Sequence, residues 1–308
     1  MYARQVHHGT TTCSAAALAA AAMVLLAGDA RADAPTIDGW PEEVPRVRWW
    51  EWAGSASLLG GSLALRFGVD VSGEPNWKGG ILIDEPLYDA LFLEHGYPFR
   101  SWRTIGDVGY LGSLAWTAVD PLLAGVLYDW DTALQMAGMN LEAFSIYSMV
   151  LSLAQVAVRR ERPATRECAD PEHADELAIS CGDDNPNRNR SFIGGHTGTA
   201  ATAATLTCIH HIELPLWGRQ ADPLPCVTMW ALTATVFTSR TLTGQHYFSD
   251  NFLGLAVGTG SAFIPFLLHH GMRRKAARSS ATPRVRPTAV MVAPLPGGAA
   301  LQLSGVTL

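Results

Sequence analysis

Three observations predict an all-α fold, a bundle of about six core helices. Six apolar stretches of 13 to 21 residues with few charges follow one another, at 49–67, 108–128, 143–158, 197–210, 226–238 and 252–268. No alternation of apolar and polar residues separates them, so the period of two that marks strands is missing. The connectors at 73–86, 167–189 and 214–225 and the turn at Gly244 carry the Gly, Pro and Asn punctuation of loops.

Taken in chain order, residues 1–34 read as a signal peptide. Arg4 is followed by an unbroken apolar run over 15–27, and Ala30, Ala32 and Ala34 give small-residue cleavage patterns. An uncleaved anchor helix is the alternative, although the run is short for a span. A Pro-rich, acidic leader over 35–48 brings the chain to the first apolar helix, whose Trp49, Trp50 and Trp52 suit a membrane interface. Residues 35–102 form an N-terminal segment with that helix, 103–276 the core, and 277–308 a tail. Within the core, Asp120-Pro121 is expected to interrupt the stretch 108–128. The β-branched and small residues around Pro296-Gly297-Gly298 read as a β-hairpin, with a disordered tail as the alternative.

Composition narrows the function. Of 308 residues 48% are apolar and 16% charged, and 22 basic against 28 acidic side chains leave a formal net charge of -6. That excludes a disordered chain and a nucleic-acid-coating protein, and any phosphate must be held by a local site. The basic residues are 20 Arg and two Lys, a bias toward forked recognition of oxyanions. Mean hydropathy of +0.11 lies between soluble and polytopic membrane proteins.

Export would place the chain in an oxidising compartment, and removing Cys13 with the signal leaves Cys168, Cys181, Cys208 and Cys226. Of the three pairings the two local ones are favoured, Cys168 to Cys181 and Cys208 to Cys226. Cys168, Cys181 and His173 lack zinc-like spacing. Asp183 and Asp184 with the nearby Asn residues lack the Gly and final Glu of a calcium loop and read as solvated. The pairs His210-His211 and His269-His270 fall at helix ends and read as helix-terminal.

Three elements carry chemistry. In the stretch SRTLTGQHYFSD, His246 and Asp250 are four apart, so on one helix face the carboxylate can orient the imidazole and leave its other nitrogen bare. Alone, such a pair reads as a surface contact; Arg240, beyond the Gly244 turn, brings a cation toward it. Gly194-Gly195-His196 opens the fourth stretch, where backbone N–H groups at a helix N-terminus suit an anion and His196 can give a proton to a leaving group. Arg159-Arg160-Glu161-Arg162-Pro163 ends the third stretch. Its bland reading is compensation of the helix dipole, its functional one a cation at the mouth of the bundle.

These residues resemble the type 2 phosphatidic acid phosphatases and their relatives, the bacterial class A acid phosphatases and vanadium haloperoxidases. The family pattern is Lys-x6-Arg-Pro, then Pro-Ser-Gly-His, then Ser-Arg-x5-His-x3-Asp. The third motif stands complete as Ser239, Arg240, His246 and Asp250; the second is kept at Gly195 and His196, with Ile193 and Gly194 replacing Pro and Ser. The first is kept at Arg162 and Pro163, with Gln155 at the Lys position.

The resemblance implies that His246 attacks phosphorus, oriented by Asp250, while His196 protonates the leaving alkoxide. Arg162, Arg240 and the amide of Gly195 would hold the phosphoryl oxygens, with Gly194, Ser239 and Gln155 completing the cradle. Arg188 or Arg190 is expected to replace the missing Lys charge. No metal or other cofactor is expected, vanadate entering only under the haloperoxidase alternative.

The expected function is a phosphatase acting on a phosphate monoester through a phosphohistidine, with a lipid phosphate such as phosphatidic acid or isoprenyl phosphate favoured over a small ester. The alternatives are a vanadate-dependent haloperoxidase and a catalytically degenerate envelope protein whose tail docks to a partner. The expected location is the periplasm or the periplasmic face of the inner membrane, with membrane contact, no nucleic-acid partner, and the oligomeric state open. The oxidised cysteines and the basic cluster at 273–275 favour an interfacial or soluble domain over one that spans.

Overall fold

A computed structural model describes residues 39–280, apart from 43, 94–95, 170–180, 182–184, 186, 215 and 219–220, together with 290–295 and 298–303. The expected signal peptide and the loop residues Asp183 and Asp184 lie outside the described residues. Seven α-helices make up the body: α1 Trp49–Gly68, α2 Asp84–Leu91, α3 Tyr97–Leu127, α4 Trp130–Val158, α5 Gly195–Glu213, α6 Pro223–Leu242 and α7 Phe248–Ser280. The chain is all-α, as the apolar stretches predict. Two helices are longer at their N-termini than hydropathy alone suggests, and the short α2 occupies a stretch read as loop.

Local chemistry explains the boundaries. Asp129 caps α4, accepting the Thr132 N–H at 2.8 Å and its hydroxyl at 2.7 Å, so the helix begins at Trp130 although its first turns are polar. The expected interruption at Asp120-Pro121 does not occur: α3 runs through Pro121. Proline cannot donate to the carbonyl one turn back, and the Asn140 side chain of α4 donates to that Thr117 oxygen at 2.8 Å.

α5 is the central helix, packed by α3, α4, α6 and α7. It meets α7 with almost no separation, since a Cβ on Gly254 would lie 2.3 Å from the Gly194 oxygen and one on Gly258 2.1 Å from the Gly198 oxygen. The apolar core, with Trp40, Trp116, Met136, Met139, Leu214, Trp217 and Met229, fills the end of the bundle where α3 and α5 finish and α4 and α6 begin. The buried arginines Arg160, Arg162, Arg190 and Arg240 lie at the opposite end.

Both expected disulfides form, Cys168 to Cys181 and Cys208 to Cys226, with Cα atoms 5.5 and 4.5 Å apart. The tail forms an antiparallel hairpin, β1 Val290–Leu295 with β2 Gly298–Leu303, Val290 opposite Leu303. Among the described residues, three helices are long and apolar enough to cross a membrane: α3, α4 and the stretch Phe248–His269 of α7. Large apolar side chains lie exposed on the outer faces of the bundle, among them Trp49, Phe67, Val126, Trp130 and Phe252.

Candidate active site

α4 ends at Val158, and Arg159 adopts a left-handed conformation (φ 46°) that turns the chain back toward α1. The turn places Arg160 and Arg162 at the polar end of the bundle. There they meet the N-termini of α5 and α7 and the C-termini of α1 and α6. A cavity of about 190 Å³ opens at this junction, lined by Arg66, Tyr110, Leu151, Ser152, Gln155, Arg162, Gly195, His196, Thr199 and His246.

His246 does not share a helix face with Asp250. α7 begins only at Phe248, and the Asp250 carboxylate closes its first turn by accepting the Tyr247 N–H through Oδ2 at 3.1 Å. The His246 Nδ1–H instead donates to the Ser191 carbonyl oxygen at 2.7 Å. A carbonyl can only accept, so Nδ1 carries the proton and Nε2 keeps its lone pair. Asp250 acts at one remove: Oδ2 accepts the Ser191 hydroxyl at 2.6 Å, and Oδ1 accepts Arg160 Nη1 at 2.5 Å.

Arg160 is fully buried, its guanidinium 4.2 Å from the ring centroids of both Trp77 and Tyr247. Its Nη2 donates to Asp84 Oδ2 at 2.9 Å, and Asp84 also accepts the Ser249 N–H. The short helix α2 therefore exists at the site to bring Asp84 against this arginine.

His196 is the second residue of α5, its ring edge-on to Tyr110 at 4.5 Å between centroids. Burial holds His196 well below the usual imidazole range, reinforced by Arg240, Arg162 and Arg66. Burial does the same to His246, reinforced by Arg162 and His196. Both rings are thus neutral while the cavity holds no anion. Burial and the surrounding arginines push Arg162 down to about 9. For a group that keeps its proton in proteins, this marks concentrated positive charge and hence an anion site.

Of the residues expected from the sequence, Gln155, Arg162, Gly195, His196 and His246 come together on the cavity. The others stand outside its lining. The Gly194 N–H is taken by the Asp250 carbonyl at 2.8 Å, and a Cβ at Gly194 would meet Asn251 Oδ1 at 2.7 Å, which is why serine is missing there. The Ser239 hydroxyl donates to the Trp102 carbonyl at 2.7 Å and ties α6 to α3. Arg240 pairs with Asp107 through Nη2, leaves its buried Nε without a partner among the described residues, and acts on both imidazoles through its charge.

The expectation that Arg188 or Arg190 replaces the missing lysine is corrected. Arg188 pairs with Glu161 at 2.7 Å, and Arg190 Nη2 donates to the Arg66 and Val69 carbonyls at 2.9 and 3.3 Å. The added cation on the cavity is Arg66, from the last turn of α1. Its Nη1 donates to Gln155 Oε1 at 3.0 Å and its Nη2 to Asn187 Oδ1 at 3.4 Å. A charge reaching the Lys position from another helix is invisible to motif spacing; its one sequence signal is a lone arginine in an otherwise apolar run.

Residues 141–274, spanning most of α4 through α7, match the model of the PAP2 superfamily. That stretch, 134 of the 308 residues, holds Arg162, Gly195, His196, Arg240, His246 and Asp250. The chain is also similar to a solved structure described as the first transmembrane PAP2 type phosphatidylglycerolphosphate phosphatase from Bacillus subtilis. That similarity is at 16% identity and a TM-score of 0.45, covering 75% of this chain and 98% of the other. No curated protein sequence matched the chain.

Proposed function

We propose that this chain is a membrane-bound phosphatase that hydrolyses a phosphate monoester carried by a lipid, with His246 as the covalent nucleophile. The observation that carries the reading is the cavity itself: two imidazoles, the buried Arg162 and the half-buried Arg66 face one space, with room for a phosphoryl group.

The steps follow from the groups present. The phosphoryl oxygens lie against Arg66, Arg162 and the N–H groups at the start of α5, which supply fixed positive charge where negative charge develops. Anion binding reverses the bias on His196, which takes up a proton. Nε2 of His246 attacks phosphorus, the bond from phosphorus to the ester oxygen breaks, and His196 gives its proton to the departing alkoxide. Water then attacks the phosphohistidine, His196 takes a proton from it, the N–P bond breaks, and phosphate and free His246 remain. The Ser191 carbonyl holds the ring throughout and gains strength as the imidazole becomes cationic.

A lipid substrate is favoured by exposed apolar side chains on the helices that line the cavity. Leu63 of α1, Leu111 of α3 and Val150 of α4 are exposed on the helices that carry the cavity-lining Arg66, Tyr110 and Leu151. Acyl or prenyl chains can lie on these faces while the phosphate enters. Location at the external face of a membrane agrees with the two disulfides.

Rapid acid-free quenching of enzyme with radiolabelled phosphatidic acid tests the mechanism. We expect alkali-stable, acid-labile label on the protein, absent in His246→Ala and forming far more slowly in His196→Ala. Label that persists in His246→Ala contradicts the assignment.

A further inference from the structure

About 28 Å along α7 from Asp250, judged from 19 residues at about 1.5 Å each, a second buried cluster lies outside the phosphatase machinery. Glu51 of α1, Glu142 of α4 and His269 of α7 each bring one ligand atom within 4.8 Å of the other two. Among the described residues no other trio of His, Cys, Asp and Glu does so.

The hydrogen bonds here leave a gap. His269 Nδ1–H donates to the Pro45 carbonyl at 3.0 Å, an arrangement that fixes the ring and directs Nε2 at Glu142 Oε2, 3.1 Å away. The other oxygen, Oε1 of Glu142, is buried with no partner among the described residues. The side chains of His269 and Glu142 are 2% and 8% exposed, so water does not compensate. Glu51 adds a second carboxylate while its Oε2 accepts the Arg48 N–H at 2.5 Å. Two carboxylates and an imidazole held by a backbone carbonyl form a donor set for a divalent cation, and the Pro45 contact is the outer support that metal-bound histidines use.

We propose that Glu51, Glu142 and His269 bind a divalent cation of the zinc class, which fastens α1 and the segment before it to α4 and α7. Three protein ligands leave the fourth position of a tetrahedron to water, and the partly exposed Glu51 gives the ion its way in. The site is structural and stands apart from the phosphate cavity.

The test is zinc content and thermal stability of the whole detergent-solubilised protein. After chelator stripping and exposure to zinc chloride, we expect one zinc per chain by mass spectrometry and a rise in Tm of several degrees. Glu51→Gln keeps an oxygen for the Arg48 N–H but removes a ligand charge, and should weaken zinc at least about tenfold; Glu142→Gln with His269→Gln should abolish uptake. Should the double variant fail to fold, cobalt substitution of the wild type gives an independent reading, with an intense visible band expected for a four-coordinate site. Absence of uptake, uptake unchanged in Glu51→Gln, or a weak octahedral cobalt spectrum would overturn the proposal. Because no readout is catalytic, its failure leaves the phosphatase reading untouched.

Discussion

The guanidinium of Arg66 donates to Gln155 Oε1 at 3.0 Å, so the residue that replaces the family lysine holds an arginine from a different helix. A lysine at 155 would project its own charge and repel Arg66. Glutamine supplies an acceptor instead, and the site keeps a cation.

The first prediction follows from this pair. Arg66→Ala should lower kcat/KM about a hundredfold, the loss typical of one buried oxyanion donor. Gln155→Lys alone should be impaired by repulsion, yet in the Arg66→Ala background it should restore at least tenfold. Steady-state kinetics of the two single variants and the double variant checks this, and additive losses would show that the two positions do not exchange roles.

The second prediction concerns the path from Arg160 to His246. Ser191→Ala removes the hydroxyl that Asp250 holds while leaving the carbonyl that holds His246, and should lower kcat about tenfold with KM little changed. Arg160→Met strands the buried Asp250 carboxylate, at a cost of about 3–5 kcal/mol in stability. Denaturant midpoints and kcat measured on both variants separate positioning from folding.

The third prediction rests on the gap left by Pro121. Asn140→Leu takes the donor from the part-buried Thr117 carbonyl and removes the Asn140 Oδ1 contact to His210 Nε2 at 2.9 Å, and should destabilise by about 1–3 kcal/mol, with no direct effect on the cavity. Pro121→Ala restores a helical N–H and should make the Asn140 substitution less costly. A double-mutant cycle on unfolding free energy reads the coupling.

pH dependence gives the fourth. Burial opposes charge on His211, but Asp120 at 3.2 Å and Asp222 at 3.0 Å outweigh it and lift the group to about 9. Its folded pKa is raised, so its contribution is complete below about 6.5 and is lost as pH rises through about 9. His196 and His246 work in the opposite sense: their folded values are depressed, and their contribution is present above about 6.5 and lost on acidification. Tm should therefore fall on both sides of neutrality, and His211→Asn should flatten the alkaline limb alone.

The all-α fold was legible because each long helix carries an apolar stretch with few charges, and both disulfides because local loops limit the pairing. The cavity-lining Arg162, Gly195, His196 and His246 were legible because their motif spacings are kept. Three features were hidden for physical reasons. The contact of His246 depends on where α7 starts, which the Asp250 cap decides. The passage of α3 through Pro121 depends on Asn140, 23 positions from the Thr117 carbonyl that it serves. Arg66 and Arg160 reach their roles by packing between helices, which leaves no local pattern.

The central claim is that His246 performs phosphate ester hydrolysis with arginines supplying the charge stabilisation. The measurement is phosphate release from short-chain phosphatidic acid and from p-nitrophenyl phosphate, in EDTA at 20 °C, by wild type and His246→Ala. The account predicts release that persists in EDTA, favours the lipid and vanishes in the variant. Release unaffected by His246→Ala, or abolished by EDTA while the protein remains folded, would contradict it.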